Sequence, residues 1–353
     1  MENNILALGD RFSAAYSSLA HELINFGKIS YYSEHKFKNI EDALNYIGNS
    51  SFNLVMMPNP YGNKRRMYIY KELKKRNFPI ITFDRGALPN SWFFDTGFNA
   101  DSNTYHPLNW DKKLNINNKK EIIEYIDEVK KGNVALEAQG KRIGGELLKD
   151  KLGLSHKKII FVPFQRPDDT VIKFFSKGYK EFIIEVEKLN NYINKNMSED
   201  WILIAKKHPL ETKIPSKHLN FVEDDINIYD LIEISEQIVL INSGVGLLSM
   251  LWKKPVLYFG DIFYGHPHLN TKVTSYLDIL YFMHNPQKVE EDKMYSFISY
   301  LKNNVYSFAN FETEEILQKD GNYRNITRFI DFYSVQFPNV KNIIKKKYFL
   351  LHR

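Results

Sequence analysis

Short, uninterrupted apolar runs recur along this chain, each closed by glycine, proline or a polar cluster and followed by apolar positions at helical spacing. Ile5 to Leu8 runs into Gly9, and a helical pattern follows from Phe12 to Phe26. Phe52 to Met57 ends in Pro58, Asn59 and Pro60; a helical stretch covers Lys64 to Arg76; Pro79 to Phe83 is another apolar run. Strands that lack polar alternation and alternate with helices predict a parallel sheet covered on both faces. Between Asp84 and Asp111 the periodicity vanishes, and DRGALPNSWFFDTGFNADSNTYHPLNWD reads as a long loop, which in a compact domain is usually functional. Helical stretches over Lys120–Lys131 and Leu136–Leu152 lead to a second α/β series. Its strands are expected at Ile159–Pro163, Trp201–Ala205, Leu219–Val222, Ile238–Ile241 and Val256–Phe259.

The alternation predicts an α/β protein of two Rossmann-like domains with a boundary near Gly153. Residues 1–153 form one domain, 154–330 the second, and 331–353 a basic C-terminal helix or tail. A length of 353 residues suits two domains of roughly 150 residues each. In such folds the ligand lies beyond the C-terminal ends of the strands, and two halves facing a cleft match the GT-B arrangement of glycosyltransferases. Neither a Walker A sequence nor a GxGxxG fingerprint is present, which weakens the ATPase and dehydrogenase readings.

The absence of cysteine removes disulfides, thiolate metal sites and thiol nucleophiles, and points to a reducing compartment. Against 42 acidic residues stand 48 basic ones, and the resulting +6 is too weak for a dedicated nucleic-acid binder. The opening MENNILALGDRF has the pattern of neither a signal peptide nor an anchor, and no window reaches the roughly 18 apolar residues of a membrane helix. A cytoplasmic protein is expected, with at most a peripheral contact to the inner membrane. The tail NVKNIIKKKYFLLHR could rest on an anionic bilayer or pack back onto the protein.

Three strand ends carry candidate chemistry. In FVPFQRPDDTVIKFF, Gln165, Asp168 and Asp169 follow an apolar run and so face the ligand side, although Asp168 or Asp169 could equally cap a helix starting near Thr170. In WILIAKKHPLE, Lys206, Lys207 and His208 cluster two cations and an imidazole where a phosphate could sit, with Pro209 stopping the ladder; a plain turn is the other reading. In VLINSGVGLLSMLWKKPVLYFG, the small residues Asn242, Ser243, Gly244 and Gly246 would let backbone N–H groups and a helix start approach an anion, though such turns also occur without a ligand.

The order Q-x-x-D-D, K-x-H-P and N-S-G-V-G, closing with K-P-V-L-Y-F-G-D-I-F-Y, resembles the capsule polysaccharide biosynthesis proteins that include bacterial Kdo transferases, over about residues 80–265. The resemblance implies a GT-B fold with residues 1–153 on the acceptor side and 154–330 binding the nucleotide sugar. It further implies a CMP-activated donor as substrate, a glycan or lipid-linked acceptor, transfer with retention, neither metal nor other cofactor, and peripheral contact with the inner membrane or other capsule-assembly proteins. By resemblance Asp169 is the nucleophile, Lys206 and His208 hold the donor phosphate together with Pro209, and Gln165, Asp168, Asn242, Ser243, Gly244 and Gly246 complete the donor site. The family's acidic E-x-G motif has its counterpart in Asp84, Arg85 and Gly86, with Asp84 as acid/base and Trp92 beside it on the acceptor side. Asp can do the work of Glu only if brought about one methylene closer; as a residue following Phe83 it could instead merely form a turn.

Readings that remain open are another donor, such as a ribofuranosyl or nucleotide-hexose donor, and a nucleotide-sugar epimerase. A non-catalytic glycan-binding assembly subunit would use Trp92, Phe93, Phe94 and Tyr105 as a stacking surface. His266 and His268 have metal-compatible spacing but no accompanying ligand set in the sequence.

Overall fold

A computed structural model describes residues 3–19, 23–132, 139–317 and 323–338. The chain divides into two compact units: one comprises residues 1–86, 90–104 and 300–353, the other 87–89 and 105–299. This differs from the division at 153/154 read from the sequence, because the chain returns at its end to add strands to the first sheet. Of the expected C-terminal tail, Asp331–Ser334 lie in a strand, and residues 339–353 fall outside the described residues.

In the first unit β1 (Asn4–Leu8), β2 (Lys28–Tyr32), β3 (Leu54–Pro58) and β4 (Ile80–Arg85) are parallel in the order β2-β1-β3-β4. β5 (Ser91–Asp95), β11 (Tyr306–Leu317) and β12 (Tyr323–Ser334) extend that sheet antiparallel beyond β4. The second unit holds β6 (Lys158–Pro163), β7 (Trp201–Lys206), β8 (Gln237–Leu240), β9 (Val256–Tyr258) and β10 (Thr271–Lys272) in an all-parallel sheet of order β10-β9-β8-β6-β7. Both parallel sheets thus start in the middle and reverse direction beside their first strand, the doubly wound pattern that opens a crevice at the strand C-termini. The continuous apolar runs are the central strands: Ile159, Ile160, Phe161 and Val162 of β6 are completely buried, paired with β7 on one side and β8 on the other.

Several expectations change. The segment from Asp84 to Asp111 is not a structureless loop: Asp84 and Arg85 belong to β4, opposite Phe93 and Trp92 of β5. Asp84 is therefore a strand residue rather than a turn former. A Cβ on Gly86 would lie 3.0 Å from Ser91 Cβ, and the Gly86 N–H donates to the Ser91 carbonyl at 2.9 Å, so this glycine closes the β4–β5 hairpin. The strand expected at 219–222 reduces to a single bridge between Phe221 and Ala205. Of the expected helix from Leu136 to Leu152, residues 136–138 fall outside the described residues, and among the described ones the helix is formed over Gly145–Lys151.

Residues 139–143 are instead an extended strap on the helix Ile228–Ile234. The Arg142 guanidinium donates to the buried Asp230 carboxylate at 2.9 Å and to Glu233 at 2.8 Å, and the Ile143 N–H reaches Asp230 at 2.8 Å. Arg142→Ala would leave the Asp230 carboxylate, 1 % exposed, without its counter-charge. A destabilisation of about 3–5 kcal/mol is expected. Urea unfolding checks this, and an unchanged midpoint would contradict it.

Candidate functional site

All three strand ends singled out in the sequence meet in the second unit. The residues following β6, β7 and β8 line a cavity of about 130 Å³ bounded by Pro163, Phe164, Lys206–Pro209 and Ser243–Val245, together with Gln139, Ile228 and Leu248. This is the switch point of the sheet, where β6 parts from β8 and connections leave in opposite directions.

The framework of the site is a reciprocal amide pair. Gln165 Nε2 donates to Asn242 Oδ1 at 3.1 Å, and the Asn242 N–H donates to Gln165 Oε1 at 3.1 Å. Asn242 Nδ2 in turn donates to the Val171 carbonyl at 2.7 Å. Both side chains are buried, so these expected donor-binding residues act by fixing the ends of β6 and β8 to each other and to the helix Thr170–Phe175. Their hydrogen-bonding capacity is largely consumed in doing so.

The cations are also engaged. Lys206, 3 % exposed, donates its ammonium to the Asp224 carbonyl at 2.7 Å, and burial lowers its pKa. Lys207 pairs with Asp224 at 2.6 Å and donates to the Glu211 carbonyl at 2.8 Å. The two cations expected to hold a phosphate are thus also held by the protein itself, through the 223–224 backbone, the Asp224 carboxylate and the Glu211 carbonyl. His208 is a neutral imidazole. Burial, reinforced by Arg166, lowers its pKa from 6.5 to about 4. Its Nδ1 accepts from the Leu210 N–H at 3.2 Å, which leaves the proton on Nε2 and makes that nitrogen a donor. Pro209 lines the cavity.

In the third strand end, Ser243 Oγ accepts from the Val245 N–H at 3.2 Å, and the Ser243 carbonyl accepts from the Gly246 N–H at 3.1 Å and from the Tyr264 hydroxyl. A Cβ on Gly246 would stand 2.8 Å from the Tyr264 ring, so a glycine here makes room for Tyr264. The local N–H groups expected to face an anion are thus partly satisfied by Ser243 itself.

The two aspartates after β6 separate. Asp168 points to solvent and pairs with Lys173 at 2.7 Å, away from the role given to it in donor binding. Asp169 occupies the N-cap position of the helix Thr170–Phe175, yet its side chain makes no capping bond. Burial raises its pKa, opposed by Arg166 and supported by Glu211 and Asp168. Arg166 and Glu211 pair at 3.0 Å, and the same two charges act on His208. Asp169 and His208 therefore share one electrostatic neighbourhood, built by a pair for which the sequence suggested no role.

In the first unit, Asp84 is partly buried at the end of β4; burial raises its pKa, while the Arg85 N–H, donating to Oδ1 at 2.8 Å, and the Arg85 charge oppose this. Arg85 donates to Thr327 Oγ1 at 2.6 Å and lies 5.8 Å from the Phe311 ring centre, which ties this expected acceptor-side residue to β11 and β12. Trp92 is 7 % exposed and packs on Phe83 and Phe311. Phe93, Phe94 and Tyr105 are buried as well. The aromatic stacking surface is therefore corrected to core: the burial of β5 on both faces and the Tyr105–Phe263 contact remove these rings from solvent. His268 pairs with Glu290 at 2.9 Å, whereas His266 is enclosed by Trp110 and Phe297 with its pKa lowered by burial to about 4, so the two do not form a chelating pair. Among the described residues no group of three or more His, Cys, Asp or Glu side chains could hold a metal ion.

Residues 113–311, more than half of the chain, match the family described as "Capsule polysaccharide biosynthesis protein". Among solved structures, the chain superposes on the β-Kdo 2,4-transferase of Thermosulfurimonas dismutans KpsC with a TM-score of 0.60 and 11% identity, covering 92% of this chain and 96% of that one. The β-Kdo 2,7-transferase of the same KpsC gives a TM-score of 0.54 and 14% identity over the same shares. These likenesses establish the fold, two Rossmann-like units of the GT-B class. Protein FixF of Sinorhizobium fredii is 29% identical over 112 residues, which span 30% of this chain and 27% of FixF. Among the described residues no helix is long and apolar enough to cross a membrane.

The shifted imidazoles have a consequence for stability. Between pH 6.5 and about 4 the unfolded chain binds protons that native His208 and His266 refuse, so stability should fall as pH drops through that window. His208→Gln should flatten this fall by removing one of the two contributions. Urea titrations at a series of pH values provide the check, and an unaltered slope would contradict the neutral, buried imidazole.

Proposed function

Because the chain belongs to the capsule polysaccharide biosynthesis protein family, we propose that it is a glycosyltransferase moving a Kdo-like sugar from a CMP-activated donor to a glycan or lipid-linked acceptor, in the cytoplasm or at the inner membrane face. The observation that carries this reading is the Asp169 carboxylate, unused by its helix cap, in the same charged neighbourhood as the Nε2–H of a neutral His208. A binding subunit would need neither. The buried state of Trp92, Phe93, Phe94 and Tyr105 also withdraws the surface on which the binding reading rested.

The proposed chemistry runs in two displacements. An Asp169 oxygen attacks the anomeric carbon, forming a glycosyl ester while the bond to the CMP phosphate oxygen breaks and its electron pair leaves with CMP. His208 Nε2–H donates a hydrogen bond to the departing phosphate, whose charge grows in the transition state. The acceptor hydroxyl oxygen then attacks the same carbon, the ester bond returns its electrons to Asp169, and Asp84 takes the hydroxyl proton. Two inversions give net retention. Burial raises the pKa of both carboxylates, which suits Asp84 as a base and leaves Asp169 less tightly solvated as a nucleophile.

Asp169→Asn preserves shape and removes charge, so turnover should fall by orders of magnitude while folding and CMP binding persist. Asp84→Asn should slow transfer to acceptor more than donor cleavage. Both are read from CMP release and glycan product formed from CMP-Kdo; near wild-type turnover by the Asp169 variant would end the assignment, and conversion of a nucleotide sugar to its epimer without transfer would favour the epimerase reading. The reaction is proposed to need no metal. Activity lost in EDTA and restored by a divalent ion would contradict that.

A further inference from the structure

The strap at residues 139–143 brings into the cavity a side chain that belongs to none of the three strand ends. The Asn227 side-chain amide donates to the Gly140 carbonyl at 2.7 Å, the Ile228 N–H donates to Gln139 Oε1 at 3.2 Å, and Arg142 and Ile143 anchor the strap to Asp230 and Glu233. A Cβ on Gly140 would stand 2.7 Å from the Asp225 carbonyl carbon, so the close approach depends on glycine there. The result is that Gln139 lines the cavity together with the apolar groups of Phe164, Pro209, Ile228, Val245 and Leu248. Apolar faces beside an oriented amide, with Lys206, Lys207, His208 and Ser243 on the rest of the wall, are what a flat heteroaromatic ring needs: surfaces to pack against and a polar edge to match.

We propose that Gln139 reads the edge of the donor's pyrimidine base and selects cytosine over uracil. The proposal rests on the donor reading given above. A free glutamine amide can turn over and present either its oxygen or its NH2. Here the Ile228 N–H holds Oε1 as acceptor, and turning the amide would set N–H against N–H. The amide is thereby committed to offering its NH2 as donor. Cytosine presents two adjacent acceptors, O2 and N3, to such a donor. Uracil places an N3–H between its carbonyls, so a donor facing that edge meets a donor. The Arg142 and Asn227 anchors fix the strap in place, so the discrimination is held by a positioned group rather than a mobile one.

Calorimetric titration of the full chain with CMP and with UMP tests this. The wild type should bind CMP at least about tenfold more tightly than UMP, the scale of one hydrogen bond made against one left unmade. Gln139→Glu keeps an acceptor for the Ile228 N–H but offers no donor, and should shift preference toward UMP. Gln139→Ala should bind the two nucleotides alike. The readout is a ratio of affinities within each protein, which an unfolded fraction leaves unchanged. Wild-type preference for CMP retained in both variants overturns the role of Gln139 and leaves the donor reading standing, and wild-type preference for UMP overturns it as well. A wild type that binds neither nucleotide removes the donor reading and this inference with it.

Discussion

The second unit depends on one exchange of hydrogen bonds, between the Gln165 amide and the main chain and side chain of Asn242. At the switch point of a doubly wound sheet the neighbouring connections diverge, and nothing in the ladder holds the strand ends at a defined separation. A buried amide pair with every strong contact satisfied does so, at a net gain of roughly 0.5–1.5 kcal/mol per bond and a larger penalty for breaking one side. Through Asn242 the same contact reaches the carbonyl of Val171 and so orients the helix that begins at Asp169. The position of that carboxylate is thus set from the neighbouring strand end by residues that need not touch a substrate.

The electrostatics follow the same economy. A string of Lys206, Lys207 and His208 resembles a cationic trap, but a buried ammonium must find acceptors, and the carbonyl of Asp224 and its carboxylate are the nearest. What these engagements leave aimed at a ligand are oriented donors such as the Nε2–H of His208. Such a site favours a group whose negative charge grows during the reaction over one that arrives fully charged, because a fixed cation would bind both states alike, whereas an oriented N–H gains most where charge accumulates.

How far the sequence revealed this depended on whether a signal was local. The central strands were legible because runs such as Ile159–Val162 are apolar on both faces, and the three strand-end motifs were legible because topology places strand C-termini together. β5 was not, because its bounding Ser91 and Asp95 are polar yet fully buried, Asp95 held by Thr104 Oγ1 at 2.6 Å. The hairpin of β11 and β12 joins a sheet whose other strands lie more than 200 positions away, beyond any periodicity argument. In the site, the residue types were visible but their engagements were not: Gln165 and Asn242 satisfy each other across 77 positions, and Gln139 sits in an aperiodic strap. The one sequence feature that marked the strap was Gly140, where a Cβ has no room.

That late hairpin also bears on the acceptor side. Because β5 and β11 complete the sheet beside β4, Asp84 is held in a paired strand and its neighbour Arg85 is drawn away to Thr327 and Phe311. For the base role proposed for Asp84, an aspartate is one methylene shorter than a glutamate and has fewer rotamers with which to reach a hydroxyl. On a loop this would make a poorly placed base. On a strand fixed from both edges, the backbone sets where the carboxylate can go, and the smaller entropy of the shorter side chain becomes an advantage in holding one geometry. In the role proposed for Asp84, the short side chain and the strands β11 and β12 therefore work together to position one carboxylate.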